Sequence, residues 1–216
     1  MLSRIFDMDN VVFLFFRKLG YIWWLHILWL VCSIPVITIG ASTTALCYSC
    51  MRLHENEAYV TRSFFKSFKQ NFRQSTILFL GFLIMGAVLV FDIIAGSQMN
   101  SAAGNVVKYA AIILVIPYAV TLLYVFAVQA KFFNPVSKTV KYSLMTAAKF
   151  FPYTIKMFFI MLLFIVFNMT IVLANFVTVS IGVGVVAYLL SFHYNKVFSK
   201  IISKEEENRK AANLVV

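Results

Sequence analysis

Cys47 and Cys50 stand at the spacing of a redox pair or of half a metal site. A tetrahedral site needs four ligands. Cys32 is the only other cysteine, and no second pair and no His-x-His lies nearby. Both thiols fall in an apolar helical stretch, where free cysteine acts as a small apolar residue. His26 and His193 sit near the ends of apolar runs without an evident carboxylate partner. Both are expected near an interface, and no proton relay is read from them. Asp92 and Lys108 flank a short polar break and are expected to pair structurally at the outer interface. Phosphate loops, dinucleotide fingerprints, nucleophile triads and His-Glu-x-x-His are absent from the sequence. Of eight acidic residues, three are Glu205–Glu207 near the end of the chain, leaving little for acid–base work. The chain is read as not an enzyme, with no catalytic, cofactor-binding or metal residues and no cofactor.

The run from Pro35 through Thr38, Gly40, Ser42, Thr43 and Thr44 is the most distinctive polar feature. Small residues let helices approach closely, and hydroxyls bond across them. A break beside such a run is also how transporters expose backbone to a ligand. The run is a candidate ligand or helix-contact site. The contact reading is the stronger, since no charge accompanies it.

These residues are carried by a chain that is 62% hydrophobic and 12% charged over 216 residues, one domain's worth. A soluble fold could not cover so much apolar surface. Charges are missing between Lys18 and Arg52, Arg73 and Asp92, Lys108 and Lys131, and Lys156 and Lys196. A spanning helix needs about 20 apolar residues. The runs do not alternate, which excludes a barrel. The fold class is all-α integral membrane: a bundle of five long transmembrane helices, or six segments if 19–51 is a broken hairpin, with two interfacial amphipathic helices. The net charge of +11 is read as topology and attraction to anionic headgroups, not nucleic acid.

Along this single membrane domain, residues 4–18 are expected as an interfacial helix and a retained signal anchor. Residues 19–51 are too long for one straight span. Pro35 and Gly40 break them into either one kinked span or a short hairpin. Residues 59–73 are expected as an amphipathic helix on the membrane, with Phe64, Phe65, Phe68 and Phe72 on one face. Arg62, Lys66, Lys69 and Arg73 lie opposite. Spans follow at 74–95, 107–130, 153–173 and 177–195, the last two joined near Ala174–Asn175. Between them, 134–151 is a second amphipathic stretch, with Val136, Val140, Leu144 and Ala147 facing away from Lys138, Lys141 and Lys149. The rest, 196–216, is a cytoplasmic tail.

Basic and uncharged loops alternate, which places the C-terminus inside. Arg17 and Lys18 favour an inside N-terminus and with it the hairpin, while Asp7 and Asp9 oppose this. Arg62–Ile77 with its span resembles Val140–Ile155 with its span, each carrying a Thr-Ile pair. Ile34-Pro35 and Ile116-Pro117 precede them, suggesting a parallel internal repeat.

The stretch Ile34-Pro35-Val36-Ile37-Thr38-Ile39-Gly40-Ala41-Ser42-Thr43-Thr44-Ala45-Leu46 resembles the signature of the YesL-like family. So does Ser63-Phe64-Phe65-Lys66-Ser67-Phe68-Lys69-Gln70-Asn71-Phe72-Arg73-Gln74. The resemblance runs over essentially the whole chain. It implies a bacterial multi-pass plasma-membrane protein of undefined activity, of a kind often encoded beside oligosaccharide uptake genes. The expected role is accessory to a carbohydrate uptake or sensing system. The partners would be the lipid bilayer and a sugar permease or sensor protein, and self-association is compatible with this. Arg62, Lys66, Lys69, Arg73, Lys138 and Lys141 are the candidate docking residues for lipid or partner. The alternative is an autonomous small-solute transporter or channel.

Overall fold

The computed structural model describes residues 11–55, 59–99, 101–132, 134–170, 175 and 178–213. Among them the chain forms seven α-helices: α1 (Val11–Cys32), α2 (Ile39–His54), α3 (Val60–Gln98), α4 (Ala102–Lys131), α5 (Val136–Lys149), α6 (Phe151–Thr170) and α7 (Val183–Asn213). A 3₁₀ turn at Val36–Thr38 leads into α2, and a π-helical turn at Thr178–Gly182 leads into α7. Four helices are long and apolar enough to cross a membrane, at Leu14–Cys32, Val60–Gln98, Ala102–Lys131 and Phe151–Thr170. Their outward faces carry large apolar side chains such as Phe91, Ile113, Ile116, Phe159 and Leu163. Apolar patches of this extent are not sustained in water. This is the surface of a membrane protein.

Prolines set several of the boundaries. α1 stops at Cys32 because Pro35 disfavours helical backbone at Ile34. The chain then folds back. Trp29 Nε1 donates to Thr43 Oγ1 at 3.2 Å, and the Ser33 and Ser42 hydroxyls share a bond of 2.6 Å. Trp29 and Thr43 would lie about 21 Å apart in a straight helix. Residues 19–51 are therefore a hairpin and not one kinked span.

α2 is the central element. It packs against α1, α3, α4 and α7, and eleven of its sixteen residues are buried. Its closest neighbour is α3. A Cβ on Gly40 would stand 2.3 Å from the Ser75 carbonyl oxygen and 2.6 Å from Phe79 Cβ. Only a residue without a side chain permits this crossing. Thr44 Oγ1 and Ser75 Oγ bond across the same contact at 2.8 Å.

Residues 59–73 do not form a separate surface helix. They open α3, one unbroken helix of 39 residues, about 58 Å long at 1.5 Å per residue. No proline falls inside it. Its buried stripe is Val60, Phe64, Ser67, Asn71, Ser75 and Leu78, a helical repeat of mixed polarity. The expected phenylalanine face is divided: Phe64 is buried, while Phe65 and Phe72 are exposed.

The second amphipathic stretch does break from the helix that follows. Pro152 lacks the N–H and would clash with the carbonyl one turn back, so α5 ends at Lys149 and α6 starts at Phe151. Gln74 stands at the corresponding place in α3. The two parts of the suspected repeat thus differ, one continuous and one bent. On α5 the buried residues are Thr139, Ser143, Thr146 and Ala147; of the expected apolar face Ala147 is buried, Val136 and Val140 are half-buried and Leu144 is exposed.

Of the expected interfacial helix 4–18, residues 4–10 lie outside the described residues, and the rest belongs to α1. The ends of the spans expected at 153–173 and 177–195, and Ala174 between them, also lie outside. The described part of the last expected span is the π turn followed by the start of α7, and α7 continues as helix into the tail.

The Gly40 crossing gives a test. Gly40→Ala should destabilise the protein by about 1–3 kcal/mol, because backbone on α3 must move. Gly81→Ala, where nothing lies within 4 Å of the added methyl, should be neutral or slightly stabilising. Thermal unfolding of both variants in detergent measures the contrast.

Candidate functional site

Gly40 and Pro35 shape the hairpin turn, while the hydroxyls of the Thr38–Thr44 run are bonded within the chain. Thr38 Oγ1 donates to the carbonyls of Cys32 and Pro35, at 2.5 and 2.6 Å. Ser42 and Thr44 bond back to Thr38 and Gly40 carbonyls and across to Ser33 and Ser75. Thr43 holds Trp29. The run joins α1, α2 and α3.

A second polar assembly carries no sequence motif. Gln129 on α4 is buried, and its amide nitrogen donates to Asn71 Oδ1 at 3.2 Å and Gln74 Oε1 at 2.5 Å on α3. Its carbonyl accepts from Thr139 Oγ1 on α5 at 2.9 Å. Asn71 in turn donates to Ser67, and Ser143 to the Thr139 carbonyl. Thr154 on α6 bonds to Tyr124 on α4 and to the Ala147 carbonyl on α5. The visible signal was the stripe Ser67, Asn71, Ser75, one helical turn apart, set among phenylalanine and basic residues.

His26 is fully buried within the chain. Its Nε2 donates to the Val179 carbonyl at 2.8 Å, and its Nδ1 accepts from the Gly184 N–H at 3.3 Å. It fastens α1 to the π turn, where the helical bonding pattern is displaced. Cys47 and Cys50 are free, buried thiols in two different apolar clusters, with Tyr124 and Tyr194 around one and Leu25 and Phe64 around the other. Among the described residues no group of three or more His, Cys, Asp or Glu could hold a metal ion.

Asp92 and Lys108 do not pair. Lys108 lies against Gly96, one turn beyond Asp92, and its ammonium sits 5.4 Å from the Tyr109 ring centre. The ion pair among the described residues is Lys131 with Glu55, at 3.8 Å and partly exposed. Two cavities flank it. One, of about 290 Å³, is lined by Arg52, Glu55, Lys66, Ser67, Asn71 and Lys131 among others. The other, of about 450 Å³, takes in His54, Phe192, Asn195 and Lys196. Arg52 is held by the Tyr48 hydroxyl at 2.9 Å. A third cavity, of about 490 Å³, places Lys149 on α5 beside Lys204 on α7. Arg62, Lys66, Lys69, Arg73, Lys138 and Lys141 are all exposed. Lys66 is the one of these six that lines a flanking cavity.

His54 ends α2 beside these cavities, stacked on Tyr188 with ring centres 4.2 Å apart. Burial holds its pKa below the usual 6.5, against the hydrogen bond to the Tyr188 carbonyl and helped by Lys18. The unfolded chain therefore takes up this proton first as pH falls. The stabilising contribution is complete above the usual histidine pKa and is lost as pH drops below it toward the folded-state value. Between about pH 7.5 and about pH 5, wild type should lose more thermal stability than His54→Gln. Gln129→Leu should cost about 1–3 kcal/mol and expose α5, because Asn71, Gln74 and Thr139 lose their common partner. Hydrogen exchange of 136–149 reads this directly.

No curated protein and no solved structure matches the chain. Residues 22–93, which hold the second half of α1, the hairpin turn, α2 and most of α3, match a family described as "Protein of unknown function, DUF624".

Proposed function

We propose that this chain is a non-catalytic, multi-pass component of a bacterial plasma membrane, with its C-terminus in the cytoplasm, accessory to a carbohydrate uptake or sensing system. The observation that carries the reading is the gathering of basic side chains at one end of the bundle. Arg52, Lys66 and Lys196 line the cavities that flank the Glu55–Lys131 pair, and Lys149 and Lys204 share a further cavity. Lys108 lies at the opposite end of α4. A surplus of positive residues on one side is the mark of the cytoplasmic face. It offers an anionic leaflet or an acidic partner a surface to meet. In this orientation α3, α4, α6 and the π turn with the start of α7 cross in alternating directions, with the α1–α2 hairpin beside them.

The sugar-related role comes from the YesL-like resemblance, with which the match over residues 22–93 agrees. The alternative, an autonomous transporter, draws little support from the hairpin. The hydroxyls of Thr43, Ser42 and Thr44 are engaged with other segments of the chain and line no open path.

Affinity purification in mild detergent, with mass spectrometry of co-purifying proteins, tests the proposal. A sugar permease or sensor kinase should accompany wild type and be lost from Lys138→Glu/Lys141→Glu. A homo-oligomer without partners, together with unchanged sugar uptake after deletion of the gene, would overturn it.

A further inference from the structure

We propose that the α1–α2 hairpin is re-entrant. It enters the bilayer from the cytoplasmic side, turns at Ser33–Thr38 within the hydrocarbon and returns to the same side. The partner of the turn is then the acyl chains of that leaflet. The inference rests on the membrane orientation proposed above and not on the accessory role.

The depth follows from α3. Arg73 and Asp92 bound its uncharged stretch and are about 28 Å apart at 1.5 Å per residue, close to the thickness of a hydrocarbon core. The top of α2 meets α3 at Ser75 and Phe79, and the 3₁₀ turn also touches α3. Phe79 lies about 9 Å beyond Arg73 and about 20 Å short of Asp92. The turn thus stops part way through. α2 itself, with sixteen residues, is about 24 Å long and shorter than a full crossing.

The chemistry of the turn agrees. A turn in water normally displays polar side chains. This one displays Ile34, Val36 and Ile37, exposed by 77%, 61% and 56%, together with Pro35. Much of its polar backbone is bonded within the chain. Thr38 caps the carbonyls of Cys32 and Pro35 with one hydroxyl, and its N–H also bonds to Pro35. The Ser33 and Ile34 N–H groups return to Leu30 and Val31. Pro35 removes a donor altogether. Each such bond lowers the cost of placing irregular backbone in lipid.

The test is site-directed labelling in full-length protein with Cys32, Cys47 and Cys50 replaced by alanine and single cysteines added as Ile34→Cys, Met99→Cys or Ser203→Cys. A membrane-impermeant maleimide is applied to intact cells and to inverted vesicles. Met99→Cys should label from outside, Ser203→Cys from the cytoplasmic side, and Ile34→Cys from neither. A nitroxide on Ile34→Cys should be relaxed more strongly by oxygen than by a water-soluble nickel chelate. Labelling of Ile34→Cys from outside would mean a hairpin that crosses and would overturn the proposal. Labelling from the cytoplasmic side, or stronger relaxation by nickel, would place the turn in water and overturn it equally. Should Met99→Cys and Ser203→Cys label from the same side, the orientation proposed for the spans fails, and that failure is distinct from the result at Ile34.

Discussion

The contact between Gly40 and α3 governs the arrangement of the bundle. With no side chain at Gly40, α2 lies close enough to α3 for Thr44 and Ser75 to bond directly. In lipid, apolar side chains gain little by leaving their surroundings, so helices associate through close packing and shared hydrogen bonds. Both operate at this crossing. α2 is then fixed as the post against which α1, α4 and α7 are laid, and the folding back of α1 is stabilised by the hydroxyls of the same run.

Around that post, polar side chains serve as joints. Gln129 ties α3, α4 and α5, Thr154 ties α4, α5 and α6, and His26 ties α1 to the turn before α7. Such groups are costly to leave unpartnered away from water, which makes each joint specific as well as adhesive. The charged residues lie on exposed surfaces and in the cavities around Glu55 and Lys131, one of which Asn71 of the Gln129 joint also lines. Interior polarity thus serves assembly, while charge stays at the surface.

Much of the architecture was legible because the gaps between charges report directly on lipid-compatible length. The hairpin was legible as one of two options, since Pro35 breaks the helix but does not dictate the direction of the chain beyond it. What decided the direction was pairwise: Trp29 with Thr43, Ser33 with Ser42. The division of 59–98 into a surface helix and a span was misread for a related reason. The alternation of phenylalanine and basic residues is the same whether a helix lies on a membrane or runs out of one. The absence of proline near Gln74, against Pro152 in the later segment, was the discriminating sign. The apolar face of α5 was legible in part: Ala147 on it is buried, but the other buried residues are the hydroxyl-bearing Thr139, Ser143 and Thr146, which hydrophobicity does not mark. The hub at Gln129 was not legible as a unit because its partners come from two other segments, α3 and α5.

A rod cannot tilt at one end alone. α3 carries its lipid-embedded part and its basic part on a single uninterrupted axis. Membranes of different thickness are accommodated by changes in the tilt of such helices. Any change in tilt therefore swings Arg62, Lys66 and Lys69 through an arc outside the bilayer and alters the angle at which they meet a neighbour. Bilayer thickness and the presentation of the basic surface are thus geometrically one variable in this protein.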